Sequence, residues 1–271
     1  MTSRRARRFL LAAAAAATGA SLASLAASGG HDPAGESPSR APGPAVALAP
    51  PAEPAFSVPA PETLQPSRFE STWASVRSAA VVRAAPRRGA AVVGHLDRRT
   101  PEGTTNIVLT RHRAKDSQGS LWVRVSVPAL PASVTGWVPR AALGGYGVVR
   151  TQLVVDLGDL QLTLYRAGKA IFRAPVGIGT AQFPTPKGDF YVRNKLARYR
   201  NAFYGPLAFG TSARSATLTD WPAGGFVGIH GTNRPDLLPG RVSHGCIRLR
   251  NEDIVRLARL LPIGTPLRIR A

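Results

Sequence analysis

Cys246 is the only cysteine in 271 residues, and a single glycine separates it from His244. A second imidazole, His230, lies sixteen residues upstream across a loop. The local strings are Gly228-Ile229-His230-Gly231-Thr232 and Ser243-His244-Gly245-Cys246-Ile247-Arg248-Leu249. A thiol attacks a carbonyl only as thiolate, and a nearby imidazole lowers its pKa and takes or returns the proton. Glycines beside both groups let backbone approach a substrate closely, and free N–H groups can hold an oxyanion. This pattern predicts nucleophilic chemistry at Cys246, with either imidazole as its partner. The same types could ligate zinc, but the H-x13-H-x-C spacing lacks a usual fourth ligand, so no metal and no cofactor is expected. An inert buried thiol fits poorly beside His244 and Gly245. His95 and His112 read as exposed loop residues without a role.

The elements that must hold these groups are mostly strands. Short β-type runs at Ser78–Arg83, Ala91–Leu96, Asn106–Thr110, Leu121–Val127 and Gly136–Pro139, separated by Pro, Gly and polar clusters, predict a small antiparallel barrel. Leu153, Val155 and Leu157 alternate, as do Leu160, Leu162 and Leu164, with a Gly158-Asp159 turn between them. Ala167-Gly168 turns the chain again. One helix is expected near the end, with Asn251 as N-cap, Glu252 and Asp253 in its first turn, and Ile254, Leu257, Ala258 and Leu261 as its apolar stripe. Leu267–Ile269 reads as a final strand.

The strings H-G-T and S-H-G-C-I-R-L, with Pro184-Thr185-Pro186-Lys187-Gly188 upstream, resemble the L,D-transpeptidase catalytic domain, the YkuD-type fold, over roughly residues 151–271. Val82-Arg83-Ala84-Ala85-Pro86, Leu121-Trp122-Val123-Arg124-Val125 and Gly136-Trp137-Val138-Pro139 resemble a bacterial SH3-like domain over roughly 71–144, with Trp122 and Trp137 as core residues and the domain as a wall-binding or positioning module. Together these imply a mainly β protein, an SH3-like barrel followed by a YkuD-type β-sandwich with a short C-terminal helix. The first resemblance implies Cys246 as nucleophile, His230 as base, His244 as a supporting imidazole, Gly231 orienting His230 through its carbonyl, and Gly245 and Cys246 as oxyanion donors. Arg248, Ser243 and Thr232 are the implied substrate contacts. Many family members carry Asn where this chain has Arg248, which suits either a substrate carboxylate or a pair with Asp253. The implied reaction joins peptidoglycan stem peptides, donor and acceptor, through a thioester next to diaminopimelate, with carbapenem β-lactams as inhibitors. Two alternatives stand beside it: an L,D-carboxypeptidase that passes the thioester to water, and a non-catalytic wall-binding protein.

Charge and composition place this chemistry outside the cytoplasm. Arg4, Arg5, Arg7 and Arg8 precede the apolar run Phe9–Ala17, and Ser24-Leu25-Ala26 offers a cleavage site, so residues 1–27 read as an export signal. Nine apolar positions fall short of the roughly 20 that a stable membrane anchor needs. Residues 28–68 hold ten of the 24 prolines and read as a disordered tether. Residues 69–148 are then assigned to the SH3-like barrel and 149–271 to the catalytic domain. All the candidate chemistry lies in the second, so the first is expected to be dispensable to it. The net charge of +20 comes with scattered arginines and no recognition helix, which excludes nucleic acid and favours anionic cell-wall polymers. The expected location is the periplasm or cell wall.

Overall fold

The computed structural model describes residues 61–64, 67, 69–130, 133–197, 202–218 and 225–271. The export signal and nearly all of the Pro-rich tether lie outside the described residues. Strands dominate what is described.

Eight strands form the first sheet: β1 (Glu62–Thr63), β2 (Ser71–Val76), β3 (Ala80–Arg83), β4 (Val92–Leu96), β5 (Ile107–Lys115), β6 (Leu121–Val127), β7 (Val134–Pro139) and β8 (Leu143–Val149). They pair antiparallel in the order β4-β3-β7-β6-β5-β2-β8, with β1 added to β5. Alternation explains the burial: Thr72, Ala74 and Val76 of β2 point inward and their neighbours do not. Trp122 and Trp137 are both buried, and the Trp122 indole N–H donates to Asp116 Oδ2 at 2.9 Å. Their rings serve the core. Three details depart from the sequence reading. Glu62–Thr63, placed in the tether, is a strand paired with Arg113 and His112. His95 and His112 lie on β4 and β5 rather than in loops. The glycine-rich β8 carries no run of apolar residues, yet it pairs with β2 along its length.

Ten strands form the second sheet: β9 (Thr151–Asp156), β10 (Gln161–Arg166), β11 (Lys169–Pro175), β12 (Gly177–Gly179), β13 (Gly188–Ala197), β14 (Leu207–Arg214), β15 (Phe226–His230), β16 (Gly240–Ser243), β17 (Ile247–Arg248) and β18 (Pro266–Arg270). Their order is β11-β10-β9-β18-β13-β14-β15-β17-β12-β16. Both halves of this long sheet contribute to one hydrophobic cluster. Leu153, Leu162 and Leu164 pack with Phe209, Ile229 and Ile247, and Ile254 and Leu257 of helix α1 (Asn251–Ala258) complete it. The helix N-cap is Arg250, not Asn251, and it makes no side-chain cap bond. Asn251 is used elsewhere, as described below.

The two sheets share buried contacts. Tyr191 of β13 packs with Ile107 and Leu109 of β5, and its phenol donates to Ile107 O at 3.1 Å. Burial pushes the Tyr191 pKa up, so it stays a neutral donor. The Trp73 indole lies so close to Gly147 and Gly264 that a Cβ at either would strike the ring. Gly264 has a φ of +81°, a second reason for glycine there. The first sheet is therefore packed onto the second rather than merely tethered to it.

Candidate active site

Strand register brings the chemistry together. β15 and β17 pair in parallel, with Ile229 beside Ile247 and His230 beside Arg248. One step back along both strands, Gly228 falls beside Cys246, and the Gly228 N–H donates to Cys246 Sγ at 3.4 Å. Residues fifteen to twenty positions apart thus meet because two short strands run side by side.

His230 sits at the end of β15 and is only 3 % exposed. Its Nδ1 lies 2.6 Å from Gly231 O, a carbonyl that can only accept, so Nδ1 carries the proton and Nε2 is left as the basic nitrogen. The edge of the Tyr204 ring packs on the imidazole, with centroids 4.7 Å apart. Burial drives the His230 pKa from 6.5 down to about 4; the Gly231 bond opposes this and the Arg248 charge adds to it. At neutral pH the imidazole is uncharged. Burial likewise pushes the Cys246 thiol above its ordinary 9.0, while the Gly228 N–H and Arg248 pull it down. The sequence reading expects an imidazole-lowered thiol; the structure holds thiol and imidazole both neutral, because desolvation outweighs the fixed charge nearby.

The loop before Cys246 is fixed by its own backbone and by Thr185. Gly245 has a φ of +109°, outside the range of L side chains. Its N–H donates to Ser243 Oγ at 3.1 Å, and Ser243 Oγ donates to Cys246 O at 2.6 Å. Gly245 N–H is therefore engaged within the loop, and the Gly228 N–H is the backbone donor that meets the sulfur. Thr185 Oγ1 donates to Gly245 O at 2.9 Å and accepts from Gly179 N at 2.8 Å, so the P-T-P-K-G segment clamps the loop onto β12. His244 is exposed at the pocket rim, its ring 4.8 Å from that of Phe183.

The implied substrate contacts separate. Arg248 lines the pocket with Cys246, His230 and His244, and its Nε is buried without a hydrogen-bond partner among the described residues. Asp253 is paired instead with Arg256, at 3.5 Å. Ser243 and Thr232 are buried and do not line the pocket. The Thr232 N–H donates to Asn251 Oδ1 at 3.0 Å, and its hydroxyl accepts from Arg234 N. Asn251 thus holds the turn after His230. Among the described residues no three His, Cys, Asp or Glu side chains cluster as metal ligands.

The pocket itself has a volume of about 320 Å³, and Phe203, Tyr204, Leu218, Phe226 and Val227 form its apolar wall. Sequence reasoning missed this apolar wall, as it missed Thr185, Gly228 and Asn251 as positioning residues. Gly228 and Thr185 lie inside the strings quoted above; the aromatic wall has no motif to mark it.

Residues 150–269 match the family model of the YkuD L,D-transpeptidase catalytic domain. A Bacillus subtilis protein named as an L,D-transpeptidase, YkuD, is 36% identical over 113 residues, which are 42% of this chain and 62% of that protein. An Escherichia coli K12 protein of the same description, YbiS, is 55% identical over 133 residues, 43% of this chain and 44% of that one. The chain thus spans about three-fifths or less of the curated relatives it matches. Among solved structures, the catalytic domain of an E. faecium L,D-transpeptidase is similar at 26% identity, covering 44% of this chain and 96% of that one with a TM-score of 0.35. The same domain acylated by ertapenem is similar at 26% identity, over 44% and 96% of the two chains, with a TM-score of 0.34.

Proposed function

We propose that the protein is a peptidoglycan L,D-transpeptidase in which Cys246 forms a thioester acyl-enzyme. The supporting observation is that Cys246, His230 and Arg248 converge on one pocket within the segment that matches the catalytic-domain model. In the proposed reaction the Cys246 proton passes to His230 Nε2, and Sγ bonds to the carbonyl carbon of the L,D-peptide bond next to diaminopimelate. The Gly228 N–H steadies the charge on sulfur, and the Cys246 N–H serves the oxyanion. Collapse breaks the C–N bond, and His230 returns the proton to the departing D-alanine amine. An amine of a second stem then attacks the thioester and gives a proton to His230, and the sulfur leaves to recover it as thiol. Arg248, with an unspent buried Nε, fits a carboxylate of the stem peptide.

The apolar wall supports transfer over hydrolysis, because a site that excludes water leaves the thioester to the amine. On this reading residues 1–27 direct export, 28–68 span toward the wall, and 69–148 form an SH3-like module beside the catalytic domain 149–271. The scattered positive charge draws the protein to anionic wall polymers. A carbapenem carbonyl, strained in its ring, is opened by the same thiol.

The test is mass spectrometry of purified muropeptides after incubation with the chain from residue 28, with Cys246→Ala as control. Dimers joined between two diaminopimelate residues, absent from the control, are expected. Tripeptide monomers alone would make the protein an L,D-carboxypeptidase. Dimers of equal yield from the Cys246→Ala chain would end the proposal.

A further inference from the structure

The first sheet reaches toward the pocket through one carboxylate. Glu102 lies in the turn between β4 and β5, where Thr100 N donates to Thr104 O, Gly103 N donates to Thr100 O, and Gly103 has a φ of +79°. Thr100 and Thr104 hydroxyls share a further bond at 2.8 Å. This closed turn presents Glu102 to two adjacent residues of the second sheet. One carboxylate oxygen accepts from Arg193 Nη2 and the other from Asn194 Nδ2, each at 3.1 Å. Adjacent residues of a regular strand face opposite sides. Here β13 shifts register between Val192 and Asn194, and both can meet the same carboxylate.

Arg193 is 2 % exposed and carries the contact onward. Its Nε donates to Thr211 O at 2.7 Å, and its guanidinium carbon lies 3.7 Å from the centre of the Phe226 ring. Thr211 Oγ1 in turn donates to Val227 O at 2.6 Å. Phe226 and Val227 are the pocket wall, and the next residue is Gly228, whose N–H meets Cys246 Sγ. Burial lowers the Arg193 pKa, and Glu102 is the main group opposing that. A guanidinium this deep needs its carboxylate; without it, the cation is drawn toward water and off the ring it covers.

We infer that Glu102, from the first sheet, is a positioning residue for the active site: through Arg193 it sets the Phe226 wall that shapes what Cys246 can accept. This rests on reading that pocket as the acyl-donor site. The first sheet is then part of the specificity apparatus, not only a module for attachment.

Two alkylating agents with one reactive group test it on the full chain. Iodoacetamide reports the thiol, and N-benzyl-iodoacetamide reports the thiol plus the wall against which its ring must lie. In Glu102→Gln the benzyl-to-plain rate ratio should change by about tenfold, the scale expected when a positioning contact shifts by a fraction of an ångström, while the plain rate holds. Glu102→Asp, which keeps the charge, should restore most of the ratio. Phe226→Leu, with the ion pair intact, should change the ratio likewise. An unchanged ratio in folded Glu102→Gln overturns the inference, and so does a parallel fall of both rates with melting temperature. Should Glu102→Gln fail to fold, Arg193→Lys decides: it keeps a cation for Glu102 but loses the planar group over Phe226, so the ratio should change at a constant plain rate, and an unchanged ratio overturns the inference. Because alkylation needs no muropeptide, a wild type that cross-links nothing would sink the proposed function and leave this result standing.

Discussion

Lowering the pH should unfold this protein partly through one side chain, His230. Its pKa in the folded state is about 4, against 6.5 for a solvated imidazole, because burial penalises the charged form. The folded state thus binds fewer protons than the unfolded chain between those values. The sign follows: His230 costs nothing above pH 6.5, and stability falls as pH drops from 6.5 toward 4. At about 1.4 kcal/mol for each pH unit between the two values, the loss is about 3 kcal/mol. For a protein of this size that is roughly 6–12 °C in melting temperature. The comparison chain is His230→Asn, whose side-chain N–H can reach toward Gly231 O but does not titrate. Urea denaturation followed by tryptophan fluorescence at pH 7 and pH 4 gives the stability change for each chain. Every other acid-sensitive group is common to both, so the difference isolates His230. Wild type should lose about 3 kcal/mol more than His230→Asn. Equal losses would mean that the imidazole is not buried as a neutral group, and the tautomer assigned from the Gly231 bond would go with it.

Iodoacetamide labelling of wild-type Cys246, followed by intact mass, should rise about tenfold per pH unit up to pH 9 and beyond; a plateau already reached at pH 6 would show a resting thiolate–imidazolium pair instead. Gly231→Ala should cost about 1–3 kcal/mol in chemical denaturation, because the new Cβ would meet Asn251, and Gly205 Cα and Pro206 Cδ at 3.1 Å; a chain as stable as wild type would refute that packing. In Arg248→Gln, the His230 pKa measured by NMR should rise and the thiol pKa should rise too, since the cation lowers both; no movement in either would place Arg248 outside the pocket's field. Deleting residues 69–145 should yield a chain without a cooperative unfolding transition, because Tyr191, Arg193 and Asn194 lose buried partners; a folded, alkylation-competent remainder would restore the separable-module view.

The motif strings were legible because they are local. Cys246, His230, His244, Arg248 and the glycines between them stand in two short strings, but the parallel strands that bring the strings together are visible only in the fold. Strands with clean alternation, such as Thr151–Asp156, were legible for the same reason. β14 was not. Seven of its eight residues are buried, Thr211 and Ser212 among them, so neither face is exposed and no polar–apolar period appears. β13 is interrupted by a register shift that no composition signals. Asn251 reads as a cap because caps and turn-holding side chains draw on the same residue types; only the neighbour at the end of β15 decides between them. Glu102 is harder still. A glutamate in a turn beside Thr-Pro and Gly-Thr is an ordinary surface residue until a second sheet arrives with a buried arginine.

The interior electrostatics give this site its logic. A solvated thiol and imidazole could settle as an ion pair, and a permanent thiolate is the form that oxidants attack. Burial removes that state: it raises the energy of the thiolate and of the imidazolium alike, so both groups rest uncharged. Arg248 is the fixed charge at the pocket that acts on both, and it acts unequally on the reaction. It favours the thiolate and disfavours the imidazolium, so the proton's acceptor is weakest while the pocket holds no anion. A substrate carboxylate at Arg248 would weaken that field at both groups, while the burial that dominates both shifts would remain. The tautomer lock at Gly231 and the Gly228 donor on sulfur hold that neutral pair in place.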